Sequence, residues 1–98
     1  MTVNCYKGLI KTDTPVFTDD IIRYSINESR IAVTLKGGYP TLNMKYNDLI
    51  FIELLDGNTG NLSFQGRFLS MNYVVYDDPQ GASTVIADNT ILFELINS

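Results

Sequence analysis

The chain has 98 residues, of which 45% are hydrophobic and 18% are charged, and its formal net charge is −4. This composition is typical of a folded globular protein and excludes a disordered tail, so we expect one domain over residues 1–98. The Lys and Arg residues are few and scattered, which argues against a nucleic-acid partner, because backbone binding requires clustered bases that displace counterions.

The single cysteine, Cys5, has no second thiol with which to form an internal disulfide. The sequence shows no charged-then-apolar signal pattern at its N-terminus and no apolar run of about 18 residues. We therefore expect a protein that is cytoplasmic as synthesised and that has no membrane partner.

The first predicted strand covers residues 3–10, although its apolar and polar residues alternate poorly. Residues 12–15 break this strand, because the residue before a proline is pushed towards extended or turn geometry. We expect a short extended piece at residues 16–18, followed by a turn at Asp19 and Asp20.

Two runs with clear alternation follow, at residues 22–26 and 31–35. Their apolar members are Ile22, Tyr24 and Ile26 in the first run and Ile31, Val33 and Leu35 in the second. This period of two predicts half-buried antiparallel strands, joined by a turn at residues 27–29. After a reversal at residues 37–40, the apolar residues 42, 44 and 46 predict a further strand with one buried face.

The strongest pattern is a hairpin between Leu49 and Tyr76, with a glycine-rich loop at residues 56–60. Its first arm, residues 49–55, is apolar on both faces except for Glu53, which predicts a central strand. In the second arm the apolar residues change from even to odd positions near Gly66. One strand cannot keep the same buried face across such a change, so we predict a β-bulge or bend near Gly66.

The C-terminal part begins with a loop at residues 77–83, rich in turn-forming residues. We expect a short strand at residues 84–87, a tight turn at residues 88 and 89, and a last strand at residues 90–96. Together these patterns predict an all-β protein, a small antiparallel sandwich or partly closed barrel of about seven or eight strands.

The sequence offers little for catalysis, since it contains no histidine. Histidine is the commonest general base and zinc ligand, so its absence removes the usual Ser-His-Asp and Cys-His schemes. The carboxylate pairs Asp19-Asp20 and Asp77-Asp78 lie in predicted turns, where aspartate is favoured because it hydrogen-bonds the backbone. In extended chain, adjacent side chains point apart. We expect no catalytic, cofactor-binding or metal-binding residue, and we expect that the protein is not an enzyme.

Contact residues are easier to suggest. Tyr39 and Tyr76 lie at predicted loop edges, and tyrosine is enriched at protein interfaces because it combines a rigid apolar body with a polar tip. Val74 shares a strand face with Tyr76, and the opposite face already supplies the predicted core. Asp77 and Asp78 add negative charge at the rim of the adjoining loop. These five residues are our candidates for protein contact.

We therefore expect a non-catalytic structural or assembly protein, acting as a homo-oligomer or within a larger assembly, since its apolar strands lack the lysines and prolines that blunt free edges. In general style, as a small, Asn-rich, histidine-free all-β chain, it resembles accessory virion proteins of tailed phages, such as capsid-decorating, tail or baseplate components. That resemblance would place it in a virion. The alternative is a monomeric binding module, either a small inhibitor of a host enzyme or a ligand-binding β-barrel.

Overall fold

The computed structural model describes residues 1–36, 42–58, 60–77 and 85–96, and for residues 73–77 and 85–88 it describes the backbone. Within these residues, six antiparallel strands close into a barrel in the order β1-β2-β3-β6-β5-β4. They are β1 (Thr2–Lys7), β2 (Phe17–Asn27), β3 (Arg30–Leu35), β4 (Leu49–Asp56), β5 (Gly60–Asp77) and β6 (Val85–Leu95). The predicted all-β class is confirmed, and of the two predicted architectures, a sandwich or a partly closed barrel, the structure forms a barrel. The described residues contain six strands, where seven or eight were predicted.

The expected turn at Asp19 and Asp20 is wrong, because both residues lie inside β2. Asp19 pairs with Val3 of β1, and Asp20 pairs with Thr2. The neighbouring strand satisfies the backbone groups that a turn would otherwise have bonded locally, so the tendency of aspartate to form turns is overridden.

The predicted buried face of β2 is also partly wrong, since Ile22 is 48% exposed and Ile26 is 46% exposed. The register between β2 and β3 shifts between Ile21 and Arg23, as it does at a β-bulge. Ile21 is buried before this shift, and Tyr24 packs against the core after it. The bulge thus leaves Ile22 outside the barrel.

The β2–β3 hairpin itself is confirmed. Its last pair is Asn27 with Arg30, and the turn residue Glu28 has a positive φ of 58°. A few non-glycine residues adopt this left-handed conformation at tight turns.

Two further corrections concern residues 42–46 and 88–89. No strand forms at residues 42–46; there Met44 is buried, Leu42 packs against the core and Tyr46 is 73% exposed, in a connection that leads from β3 to β4. The expected turn at residues 88 and 89 does not form, because both residues lie within the continuous strand β6. Asn89 pairs with both Leu35 and Tyr73, so strands on each side hold this position extended.

The central hairpin is confirmed, with β4 and β5 paired from Leu49 and Arg67 to Asp56 and Gly60. At the turn, the Asn58 amide donates to Oδ1 of Asp56 at 2.9 Å. This side-chain bond stabilises the reversal in the way that is usual for aspartate.

The predicted bend near Gly66 is confirmed as well. Strand β5 pairs with β4 up to Arg67 and with β6 from Gly66 onwards, and its register with β6 shifts between Phe68 and Ser70. A Cβ atom on Gly66 would lie 2.8 Å from the backbone oxygen of Glu94. The close approach of β6 therefore requires glycine at the point where β5 changes partners.

The interior of the barrel is filled by apolar side chains from all six strands and from the β3–β4 connection. The core cluster consists of Val3, Cys5, Phe17, Ile21, Ile31, Val33, Leu35, Met44, Ile50, Ile52, Leu54, Phe68, Ile91 and Phe93. Phe68 and Phe93 meet edge to face, with ring centroids 6.1 Å apart. Alternate residues of β4, at positions 50, 52 and 54, point into this core.

Candidate functional site

The ends of β5 and β6 extend past their barrel neighbours. The β3–β6 pairing ends at Leu35 and Asn89, and the β4–β5 pairing ends at Leu49 and Arg67. Past these points, residues 73–77 pair with residues 85–89. We call residues 73–77 and 85–88 the β5–β6 arm. Among the residues that the structure describes, the arm is a two-stranded ribbon attached to the barrel at one end.

Three of the five predicted contact residues lie in this arm. Val74 pairs with Asp88, Tyr76 with Ile86, and Asp77 forms the last pair with Val85. The structure therefore brings Val74, Tyr76 and Asp77 onto one strand. Tyr39 and Asp78 lie outside the described residues.

The composition of the arm is notable for a two-stranded ribbon. Residues 73–76 read Tyr-Val-Val-Tyr and residues 85–87 read Val-Ile-Ala, with no lysine or proline among them. A single two-stranded hairpin is marginally stable in water, and strand edges without charge or proline are ready to pair with another chain. Asp77 and Asp88 add negative charge, and residues 68–98 as a whole contain four acids and no base.

A second feature, which the sequence did not predict, is the connection between β1 and β2. We call residues 8–16 the strap. The Gly8 amide donates to the Leu49 carbonyl, and the Val16 amide donates to the Cys5 carbonyl, each at 2.8 Å. From β5, Nε2 of Gln65 donates to the carbonyl of Leu9 at 2.8 Å. The strap therefore lies over the outer face of the sheet formed by β1, β4 and β5.

Glu53 of β4 accepts hydrogen bonds from both the strap and β1. Nζ of Lys11 lies 3.0 Å from Oε2, while Nδ2 of Asn4 and the hydroxyl of Tyr6 lie 3.2 and 3.4 Å from Oε1. Thr18 of β2 extends the network by donating to Oδ1 of Asn4 at 2.6 Å. One carboxylate thus links the strap to two strands.

These contacts change the titration of both partners of the ion pair. The hydrogen bond from Lys11 lowers the pKa of Glu53, desolvation acts against it, and the bonds from Asn4 and Tyr6 lower it further. The hydrogen bond to Glu53 and its charge raise the pKa of Lys11. The ionised pair is the form that the structure stabilises.

The strap covers aromatic surface. Tyr6 is 4% exposed, and its ring meets Phe51 edge to face with centroids 6.1 Å apart. Nζ of Lys11 lies 5.9 Å from the centroid of the Tyr6 ring. The signal that could have revealed this arrangement is Glu53 itself, the one charged residue in an otherwise apolar strand run.

A shallow groove of about 450 Å³ lies on the outer surface near the β2–β3 turn. Its lining is mostly polar, and consists of Ser25, Asn27, Glu28, Ser29, Arg30, Ala32, Leu92 and Glu94. Nearby, Nε of Arg67 lies 3.7 Å from Oε1 of Glu94. The groove contains charges of both signs and singles out no class of ligand.

Within the described part of the chain, no three His, Cys, Asp or Glu residues are placed to hold a metal ion. Within the same residues, no helix is long and apolar enough to cross a membrane. Comparisons with protein-family models, curated proteins and solved structures found no match to this chain.

Proposed function

We propose that this protein is a non-catalytic assembly protein that acts by protein–protein contact, and that the β5–β6 arm carries the contact. The observation that supports this proposal is the register of β5 and β6, which continues to Asp77 and Val85 after the pairing with β3 and β4 has ended. A ribbon of this kind gains stability when another chain covers its faces or pairs with its edges.

The proposed partner is a further copy of the chain or a neighbouring subunit of a larger assembly. The apolar strand segments of the arm support this, since burial of aromatic and β-branched residues is the main favourable term in association. A virion of a tailed phage is the proposed setting. Its support is the composition of the chain, a small all-β protein rich in asparagine and without histidine.

The alternative, an inhibitor-like binding module, is favoured by the charge of the arm. Asp77 and Asp88 lie in it, and no base occurs after Arg67. Such a charge would speed association with a basic partner and make binding sensitive to salt. A ligand inside the barrel is less favoured, because buried side chains fill the interior.

Light scattering over a range of protein and salt concentrations tests the proposal. We expect the mass to rise with protein concentration, and we expect Tyr76→Lys in the arm to abolish the rise. Tyr46→Lys is the matched control, since Tyr46 is 73% exposed and lies on the β3–β4 connection. If the Tyr76 variant associates as the wild type does, the arm is not part of the interface. A monomer at every concentration would contradict self-assembly, and salt-sensitive capture by a basic partner would then support the inhibitor alternative.

A further inference from the structure

The tip of the strap is attached to the barrel more weakly than its ends. The ends are held by backbone hydrogen bonds from Gly8 and Val16 and by the bond from Gln65 to Leu9. Residues 10–14 are exposed, and Ile10 is 70% exposed. Among the described contacts, Lys11 is what joins this tip to the strands, through its ion pair with Glu53 and its position 5.9 Å from the centroid of the Tyr6 ring.

The two partners of this ion pair differ in environment. The Lys11 side chain is 55% exposed and the Glu53 side chain is 12% exposed. The carboxylate therefore stays with the sheet if the strap lifts, held by Asn4 and Tyr6. Hydrogen bonds to an ionised group are about twice as strong as neutral ones, so the strength of the attachment depends on the charge of Glu53.

We propose that the strap is a pH-sensitive lid, in which protonation of Glu53 releases Lys11 and lets residues 10–15 lift away from Tyr6 and Phe51 while the barrel stays folded. The strap opens about its two ends, where the backbone bonds of Gly8 and Val16 remain. The surface that opens is the aromatic pair on the outer face of β1 and β4.

Among the described residues, the charged side chain bonded to Glu53 is that of Lys11. The strap contributes Lys11, β1 contributes the Tyr6 hydroxyl and the neutral amide of Asn4, and β5 places the neutral Ser63 opposite Glu53 in the register. Among the described contacts, Thr18 is the residue of β2 that joins this network, through its hydrogen bond to Asn4. The Glu53 carboxyl group is the member of this network that changes charge in acid.

The direction of the switch follows from linkage. Contacts of the closed strap lower the pKa of Glu53, so protonation favours the open form. The strap is therefore closed above the ordinary titration range of glutamate, about pH 4.3, and opens as the pH falls through the lowered pKa of the closed form.

Hydroxyl-radical footprinting of the full chain tests the lid. Tyr6 reports opening, Tyr46 serves as an exposed reference at 73%, and Phe93, which is 0% exposed, reports global unfolding. From pH 7 to pH 3 we expect labelling of Tyr6 to rise several-fold relative to Tyr46, with labelling of Phe93 unchanged. In Glu53→Gln we expect high Tyr6 labelling at pH 7 and no further rise in acid.

The matched control is Glu94→Gln, which removes the carboxylate of the ion pair with Arg67 and should behave as the wild type. Lys11→Met is a second variant, which keeps the aliphatic stem and removes the cation, and it should expose Tyr6 at pH 7. Equal Tyr6 labelling in wild type and Glu53→Gln at both pH values would overturn the proposal. A parallel rise of Phe93 labelling would also overturn it, because the strap would then open only when the barrel unfolds.

Discussion

At the scale of single residues, Gly66 decides how β5 can serve two neighbours. It lies where β5 leaves β4 and joins β6, and a Cβ atom there would come within 2.8 Å of the Glu94 backbone oxygen. Real Cβ atoms do not approach a backbone oxygen this closely, so a larger residue must push β6 away. The sequence pointed to Gly66 through the change of apolar phase, whereas the reason for glycine is a contact with a distant strand.

We expect Gly66→Ala to lower the free energy of unfolding by about 1–3 kcal/mol, the usual cost of overpacking, and Gly66→Val to lower it further. Gly57→Ala is the control, because a Cβ atom on Gly57 meets no atom within 4 Å. Its effect should stay within about 0.5 kcal/mol. Urea denaturation measures both, and equal stability of the two alanine variants would contradict the close-approach argument.

Cys5 is a second residue whose chemistry follows from its place. Its thiol is 0% exposed, and burial raises its pKa to about 12. The thiolate is the reactive form, so the native protein should not react measurably with a disulfide reagent at pH 8. The same reagent should label Cys5 fully in urea. Fast labelling of the folded protein would place the thiol at an accessible site and contradict the packing of β1.

At the scale of elements, β4 has neighbours on both sides, β1 and β5. The apolar run predicted a central strand, but each strand of a closed barrel has two neighbours, so the pairing does not distinguish β4 from the other strands. The two faces of β4 nevertheless differ, since residues 50, 52 and 54 enter the core while Phe51 and Glu53 lie half-buried on the other face, where Phe51 meets Tyr6 and Glu53 binds Lys11 of the strap. A run that is apolar on both faces thus reflects a core on one side and a covering segment on the other.

Because exposure differs along β4, alanine substitutions at different positions should lower the free energy of unfolding by different amounts. Ile52 is fully buried, so Ile52→Ala should lower the free energy of unfolding by about 2–5 kcal/mol through lost burial and a residual cavity. Leu49→Ala on the same strand should cost much less, because Leu49 is 42% exposed. Thermal or urea unfolding distinguishes them. A near-neutral Ile52→Ala would show that β4 does not contribute to the core as described.

The two wrong predictions of turns, at residues 19–20 and 88–89, have one cause. Asp19 and Asp20, like Asp88 and Asn89, are residues that favour turns, and each pair lies within a long strand. Local preference cannot anticipate that a neighbouring strand will pair with these positions and hold them extended. The hairpins at residues 27–30 and 56–60 were predictable, because their turns join strands that are adjacent in sequence.

At the scale of the whole molecule, two carboxylates with lowered pKa values attach interstrand segments to the barrel. The segments are the strap between β1 and β2 and the connection between β3 and β4. Glu53 holds the strap, and Asp48 accepts the Lys45 amide at 2.9 Å and lies 3.6 Å from Lys7. The backbone hydrogen bond from Lys45 is the main cause that lowers the pKa of Asp48. Both groups bind protons more readily in the unfolded chain than in the folded one.

We therefore expect stability to be highest above the unfolded pKa values of these groups, about 4, and to fall as the pH drops through their lower folded values. Urea denaturation between pH 7 and pH 2.5 measures this acid limb. The double variant Asp48→Asn, Glu53→Gln should be less stable at pH 7 and show a shallower decline than the wild type. If the free energy of unfolding of the wild type and of the double variant falls equally in acid, groups other than Asp48 and Glu53 cause the acid sensitivity.

The amino-acid sequence by itself determined the all-β class, both hairpins and the change of partner at Gly66, because alternation and turn chemistry are local properties of the chain. Its suggestion of Val74, Tyr76 and Asp77 as contact residues stays a prediction, and the structure places these three residues on β5. The tertiary structure alone decided the closure of the barrel, the continuity of β2 and β6 and the position of the strap over Glu53. Each of these depends on pairing between residues far apart in the sequence, where neighbouring strands and not local preferences supply the hydrogen bonds and the cover.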